Sequence, residues 1–312
     1  MGVATGAGAY EQWGIETAFG SEQSTRNKVF GLESKINGWS WQNNQFALSQ
    51  LNNVQTSKFA YGQNSGRYTV DFILSNPWVF NLIFDTLQTA GTASPYTHTM
   101  TPTKALKTIS HEIGMDLTTD QVRVALGAIC NSLAIRGSMN EMIRCSAEMI
   151  YGKEKAVGTT LDTSIATDPI DFPYTFVHGS IELPNSTVLA EVQSIDLTMN
   201  QNAELLYGFG SADAVNGIRK KLDVTGRMNL TLKDNVTLGY ITGRAEVATM
   251  KLVFDNGLSG ANERSIELQG TGIGLSEINI GAVEPNEAIF HDLNFQWRST
   301  QVVAVNASST IP

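Results

Sequence analysis

Charge is scarce in this sequence. Lysine, arginine, aspartate and glutamate make up 16% of its 312 residues, so the surface must be covered largely by Asn, Gln, Ser and Thr. That suits a chain that hides much of its surface in an assembly. Basic residues are the rarer sign, 21 against 30 acids, for a formal net charge of -9. Holding nucleic acid needs clustered Lys and Arg to meet the phosphates, which argues against ordinary DNA or RNA grip but not against DNA passing without being held. Cysteines number two, Cys130 and Cys145, too few for a secreted disulfide framework. They read as small buried apolar residues, with a bridge left open. No stretch approaches the roughly 20 apolar residues of a membrane helix. Met1 to Tyr10 has no basic residue and no long apolar run, unlike a signal peptide. The expectation is a chain made in a cytoplasm, with no membrane partner.

Sets of residues that carry chemistry are also missing. His98, His111, His178 and His291 fall in separate segments, with no second ligand at metal spacing, and read as surface or strand-end histidines. Gly270, Gly272 and Gly274 imitate part of a dinucleotide loop, but no helix follows to present its amide end to a pyrophosphate; they read as strand-edge or bulge glycines. Asp255-Asn256-Gly257 reads as a turn between strands, without the alternating oxygen ligands of a calcium loop. The expectation is no enzyme, no catalytic residues, no cofactor and no metal.

What is present is period-two alternation, the mark of half-buried antiparallel strands. Leu222, Val224, Gly226, Met228, Leu230 and Leu232 share one face, with Asp223, Thr225, Arg227, Asn229, Thr231 and Lys233 on the other. Similar runs begin at Tyr68, Ile143, Ile195 and Leu293. Helix is scarce; the best candidate is Pro77 to Thr86, with Asn76 as cap and Pro77 in the first position.

The chain also resembles itself. Gly66-Arg67-Tyr68-Thr69-Val70-Asp71-Phe72 matches Gly226-Arg227-Met228-Asn229-Leu230-Thr231-Leu232, a period of about 160 residues. Each copy follows an alternating strand, Ile36 to Asn43 or Val192 to Asn200, and a polar loop. Each runs toward a short helix, at Pro77 or at Val236 to Ile241. The reading is a mainly β chain of duplicated sandwich or barrel domains, each with a short helix. Its parts are an N-terminal arm (1–22), a first β domain (23–156), a linker (157–171), a second β domain (172–300) and a C-terminal tail (301–312).

Three stretches resemble the siphophage-type major tail tube protein family. Tyr10-Glu11-Gln12-Trp13-Gly14-Ile15-Glu16-Thr17-Ala18-Phe19-Gly20 looks like the family's opening. Gly127 to Ile135 followed by Ile143 to Gly152 is similar to the paired strands that close its first half. Val192 to Ser211, with Asn200-Gln201-Asn202-Ala203-Glu204 and then Tyr207-Gly208-Phe209-Gly210-Ser211, resembles its strand, amide run, Glu and aromatic-Gly-x-Gly-Ser; a basic strand, Arg219 to Gly226, follows. The first copy departs from this pattern: Gln42 to Tyr61 holds no Tyr-Gly-x-Gly-Ser, so whether both halves make the same contacts stays open.

The resemblance implies a virion structural protein that polymerises into stacked rings, forming the tail tube through which viral DNA is ejected. It implies self-association, tail terminator and baseplate or tip proteins as partners, and tape measure protein and DNA in the lumen without specific binding. In the family one tube-type domain usually supplies a sixth of a ring, so a duplicated chain implies three per ring mimicking six, with a true hexamer as the alternative. Gln201 to Lys221 is then expected to be an assembly arm, with Tyr207, Gly208, Phe209, Gly210, Arg219 and Lys220 as contacts. The channel lining is expected to carry more Asp and Glu than Lys and Arg, with Arg219, Lys220 and Lys221 turned to subunit contacts or outward. The rival reading is a non-catalytic β-sandwich binding or adhesin module, with Trp13, Trp39, Trp41 and Trp78 as a stacking platform.

Overall fold

The fold is that of a computed structural model, which describes residues 9–51, 55–117, 119–158, 161–167, 172–184, 188–189, 192–231, 243–281 and 289–311. The first half opens with β1 (Ala9–Ile15), β2 (Leu32–Gln42), β3 (Gln45–Leu48), β4 (Lys58–Tyr61) and β5 (Ser65–Ile73). A single helical turn, α1 (Phe80–Ile83), leads to β6 (Thr86–Ala90), β7 (Tyr96–Thr101), β8 (Ile109–Met115), β9 (Gln121–Ser138), β10 (Arg144–Tyr151) and β11 (Lys153–Gly158). The second half has β12 (Gly179–Glu182), β13 (Val192–Asn200), β14 (Glu204–Tyr207), β15 (Ala214–Ile218) and β16 (Asp223–Thr231). It ends with β17 (Val247–Asp255), β18 (Ser265–Ile280) and β19 (Phe290–Asn306). The chain is mainly β, as the alternation requires.

Strands alternate because one face is buried. On β5, Tyr68, Val70 and Phe72 point inward while Arg67, Thr69 and Asp71 do not; on β10, Cys145, Ala147, Met149 and Tyr151 do the same. Pairing is antiparallel throughout a 15-stranded sheet whose main path is β12-β17-β18-β19-β16-β13-β9-β10-β5-β2. Each half lays down its strands in one order: β1-β8-β9-β10-β5-β2 in the first, β12-β17-β18-β19-β16-β13 in the second. In both, the connection between the last two strands of that order is a separate two-stranded hairpin, β3–β4 or β14–β15.

Two close approaches repeat as well. The ring of Tyr151 lies where a Cβ on Gly66 would stand, and the ring of Phe295 lies likewise over Gly226. The long strands β9 and β18 each contain a glycine in the left-handed region, Gly127 (φ 63°) and Gly272 (φ 62°), which L side chains adopt at a cost. Beyond Gly127, β9 leaves β8 and β11 and continues against β10 and β13.

The halves meet in two places. β13 pairs with β9 from Ser194↔Ser138 to Asn200↔Ser132. β7, from the first half, pairs with the end of β19, from Val302↔Met100 to Asn306↔Tyr96. One hydrophobic cluster runs through both halves, from Trp13, Phe30 and Tyr68 to Phe254, Phe295 and Trp297.

Several expectations need correction. Residues 9–15 of the expected N-terminal arm are a sheet strand, with Trp13 fully buried, and residues 301–306 of the expected tail are the paired end of β19. The helix expected over Pro77 to Thr86 is cut to α1 because Thr86 already begins β6; Asn76 Oδ1 does accept from the Trp78 amide at 3.0 Å. The helix expected at Val236 to Ile241 lies outside the described residues. Within the expected linker, 161–167 has no regular structure but is tied down: the Asp162 amide donates to the Tyr10 hydroxyl and the Ala166 amide to Gln12 Oε1.

Of the four histidines only His178, half-buried just before β12, keeps to the expected surface or strand-end place without being buried. His98, His111 and His291 are buried. His98 meets Thr89, Asn306 and the Ser308 carbonyl, and His111 meets Tyr68 and Glu11. Cys130 and Cys145 are free and buried; burial pushes the Cys130 thiol up to about 12. Trp39 and Trp41 stack on Tyr68 and Tyr151 and pack against the core instead of forming an open platform.

Candidate assembly surfaces

Three surfaces of this fold are unlike the rest: two hairpin arms and one broad polar sheet face. The polar loops expected after Asn43 and Asn200 each fold as one of the hairpins.

The β14–β15 arm is bolted to the first half of its own chain. The Ala214 amide donates to the Gly152 carbonyl at 3.1 Å and the Asn64 amide to the Ala212 carbonyl at 2.7 Å. The Tyr207 hydroxyl donates to the Asn64 carbonyl at 2.6 Å. Gly217 lies close against Ile129, Leu106 and Phe19. Past Gly208 the chain turns, with Gly210 in the left-handed region (φ 84°), and leaves the Phe209 ring wholly in solvent.

Arg219 departs from the expectation that it faces outward. Its guanidinium is buried at the root of the arm, 3.1 Å from Asp85 Oδ1, and donates to the carbonyls of Ile83 and Thr103 and to Gln201 Oε1. Gln201 in turn donates to the carbonyls of Leu82 and Cys130. A planar guanidinium with five donors is suited to such a junction. Lys220 stays exposed and pairs with Glu204 across the hairpin, and Lys221 is exposed. No local sequence signal separates Arg219 from its lysine neighbours, because Ile83, Asp85 and Thr103 lie more than a hundred positions away and only Gln201 is near in sequence.

Among the described residues, neither β3 nor β4 makes a hydrogen bond outside its own arm. Phe46, Leu48, Phe59 and Tyr61 are each more than half exposed. The register pairs Phe46 with Ala60 and Ala47 with Phe59, so apolar groups stand on both sides of the ribbon. Exposed apolar patches of this kind mark contact surfaces. From sequence only the other arm stands out, since this one lacks the aromatic-glycine signature.

The third surface is the outward face of β2, β5, β10, β9, β13, β16, β19 and the end of β18. Its acids are Asp71, Glu148, Asp196, Asp223, Asp292 and Glu277; its bases are Lys35, Arg67, Arg136, Arg144 and Arg227. Opposite signs sit side by side. Arg136 lies 3.2 Å from Asp196, Arg227 pairs with Asp292, and Asn294 donates to Glu277 at 2.8 Å. The hydrogen bond from Arg227, then that from Asn229, holds the Asp292 carboxyl below its ordinary value. A shallow groove of about 650 Å³ crosses this face between Arg136 and Gln296. Among the described residues no group of three or more His, Cys, Asp or Glu is placed to hold a metal, and no helix is long and apolar enough to cross a membrane.

No curated protein matches the chain. The model of the phage tail tube protein family matches residues 12–297, a span from β1 to the middle of β19 that includes both arms and the polar face, so the chain belongs to the phage tail tube protein family.

Proposed function

We propose that this virion structural protein polymerises into stacked rings and that the polar face of its sheet lines the channel through which viral DNA is ejected. The observation that carries the reading is a sheet of eight antiparallel strands whose outward face, open among the described residues except where β15 lies against Ile129 of β9, carries mostly polar side chains, in a chain of this family. Duplex DNA carries about one charge per 1.7 Å of axis. A basic wall would hold it at many phosphates, whereas ion pairs closed within the wall offer it little grip. The near balance of acids and bases on this face refines the expected acidic excess, and Arg136 and Arg227 are closed in pairs with Asp196 and Asp292.

Each half supplies one tube-type unit, so three chains make a ring that mimics six. The rings stack, meet terminator and baseplate or tip proteins at the tube's ends, and enclose tape measure protein and then DNA. The solvent-exposed Phe209 at the tip of the β14–β15 arm, with Gly208 and Gly210 allowing its turn, is a contact for another subunit. Negative-stain microscopy of the purified chain tests the reading. Hollow tubes or rings are expected; a monodisperse monomer at every concentration would exclude it.

A further inference from the structure

Near the buried Arg219–Asp85 pair at the root of the β14–β15 arm, a lysine abuts a buried carboxamide. Lys107, in the segment leading into β8, ends with its Nζ 2.6 Å from Oδ1 of Asn81 on α1. Asn81 is fully buried, and its Nδ2 has no hydrogen-bond partner among the described residues, so two buried donors go unsatisfied. Lys107 is itself half-buried. Burial pulls its ammonium below the ordinary lysine value, opposed by the charge of Asp85, and that carboxylate is already held by Arg219. A lysine desolvated near a second cation is the form in which the amine serves as a nucleophile.

We propose that Lys107 and Asn81 join in an isopeptide bond that the folded chain forms on itself. Nζ, as the free amine, attacks Cγ of Asn81; the Nζ–Cγ bond forms, the Cγ–Nδ2 bond breaks, and Nδ2 leaves as ammonia with one of the two Nζ hydrogens. Nothing is oxidised or reduced, and counted from the lysine ammonium, one ammonium is released for the one consumed. A carboxamide is a poor acyl donor, so the fold has to supply proximity. Oδ1 is bonded to Cγ, and an Nζ in contact with it stands close to the separation of about 3–3.5 Å from which oriented groups react. The leaving group gives up no protein hydrogen bond, and the product keeps one amide hydrogen where Asn81 had two. The bond would close a loop of 26 positions that holds β6 and β7, fixing the ground on which Arg219 anchors the arm.

Intact mass spectrometry of the purified wild-type chain, fresh and after prolonged incubation in the folded state, tests this independently of any assembly. The expected mass is lower than that of the sequence by one ammonia, and proteolysis should release a branched peptide joining the segments that carry Asn81 and Lys107. Lys107→Arg should keep its full sequence mass, and so should wild-type chain held unfolded in urea for the same time. A folded wild-type chain that stays at full mass would overturn the proposal. So would an ammonia loss that persists in Lys107→Arg, proceeds equally in urea, or maps to another asparagine as a cyclic imide.

Discussion

Arg219→Met would leave the buried Asp85 without its hydrogen-bonded counter-charge, with only the less direct attraction of Lys107 remaining, and breaking a buried pair from one side typically costs about 3–5 kcal/mol. The expected result is a large drop in the urea midpoint with an unchanged slope. Asp85 adds a pH signature. Burial is the largest influence and pushes its carboxyl up, but Thr103, donating through both hydroxyl and amide, and the neighbouring Arg219 hold it below its ordinary value. A depressed carboxylate contributes stability above its unfolded value, about 3.9, and loses it as pH falls through the folded value. Wild-type stability should therefore fall below about pH 4, and Arg219→Met should lose part of that fall; parallel pH curves for the two proteins would refute the assignment. None of this is readable locally in the sequence. Arg219 sits in a run with two lysines, and the partners that bury it, like Asn306 for His98 at 208 positions' distance, are brought by the sheet.

Elements that bury one face were legible, and elements that bury none were not. β5, β10, β13 and β16 show in the alternation because each presents apolar groups to the core every second residue. The β3–β4 arm shows nothing, since its apolar residues face solvent on both sides, and α1 was overestimated because Leu87 in β6 completes what looks like a helical stripe. The Gly66 and Gly226 match was visible as sequence, but its reason was not: each glycine makes room for an aromatic ring on the neighbouring strand. Gly66→Val and Gly226→Val should each destabilise by about 1–3 kcal/mol through overpacking, read as a loss in thermal midpoint; a silent Gly66→Val would show that Tyr151 has somewhere else to go. For the β14–β15 arm, Phe209→Ser should change subunit stability by no more than about 0.5 kcal/mol, as exposed positions do, and should slow or prevent tube growth. Deleting Leu206 to Val215 would be a poorer test, because it also removes the Tyr207 and Ala214 attachments.

The whole molecule is where the duplication has consequences. Native mass spectrometry of isolated rings should give three chains; six would mean that only one half takes part in closure. Tubes should also tolerate salt, because the arms present apolar and amide groups, and screening acts on exposed charges over roughly 8 Å at physiological ionic strength. Tubes that fall apart as salt rises would point to ion pairs as the joint. The repeated strand order was legible from the Gly66 and Gly226 match. The common core of the two halves was not, because it depends on which strands meet at the boundary.

The pairing of β7 with the last residues of β19 bears on when the subunit becomes competent. Met100 and His98 are covered by strand residues about two hundred positions later, so the first half cannot finish folding on the ribosome while the rest is being made. Contacts this distant in sequence are late and slow to form. A nascent chain should thus emerge with its exposed β3–β4 arm already synthesised but the strand that covers β7 absent, which delays completion of the subunit until release. Stalled chains ending near residue 285 should be more readily cut by protease in the β6–β7 hairpin than released ones, and equal cutting would show that the hairpin is secured without β19.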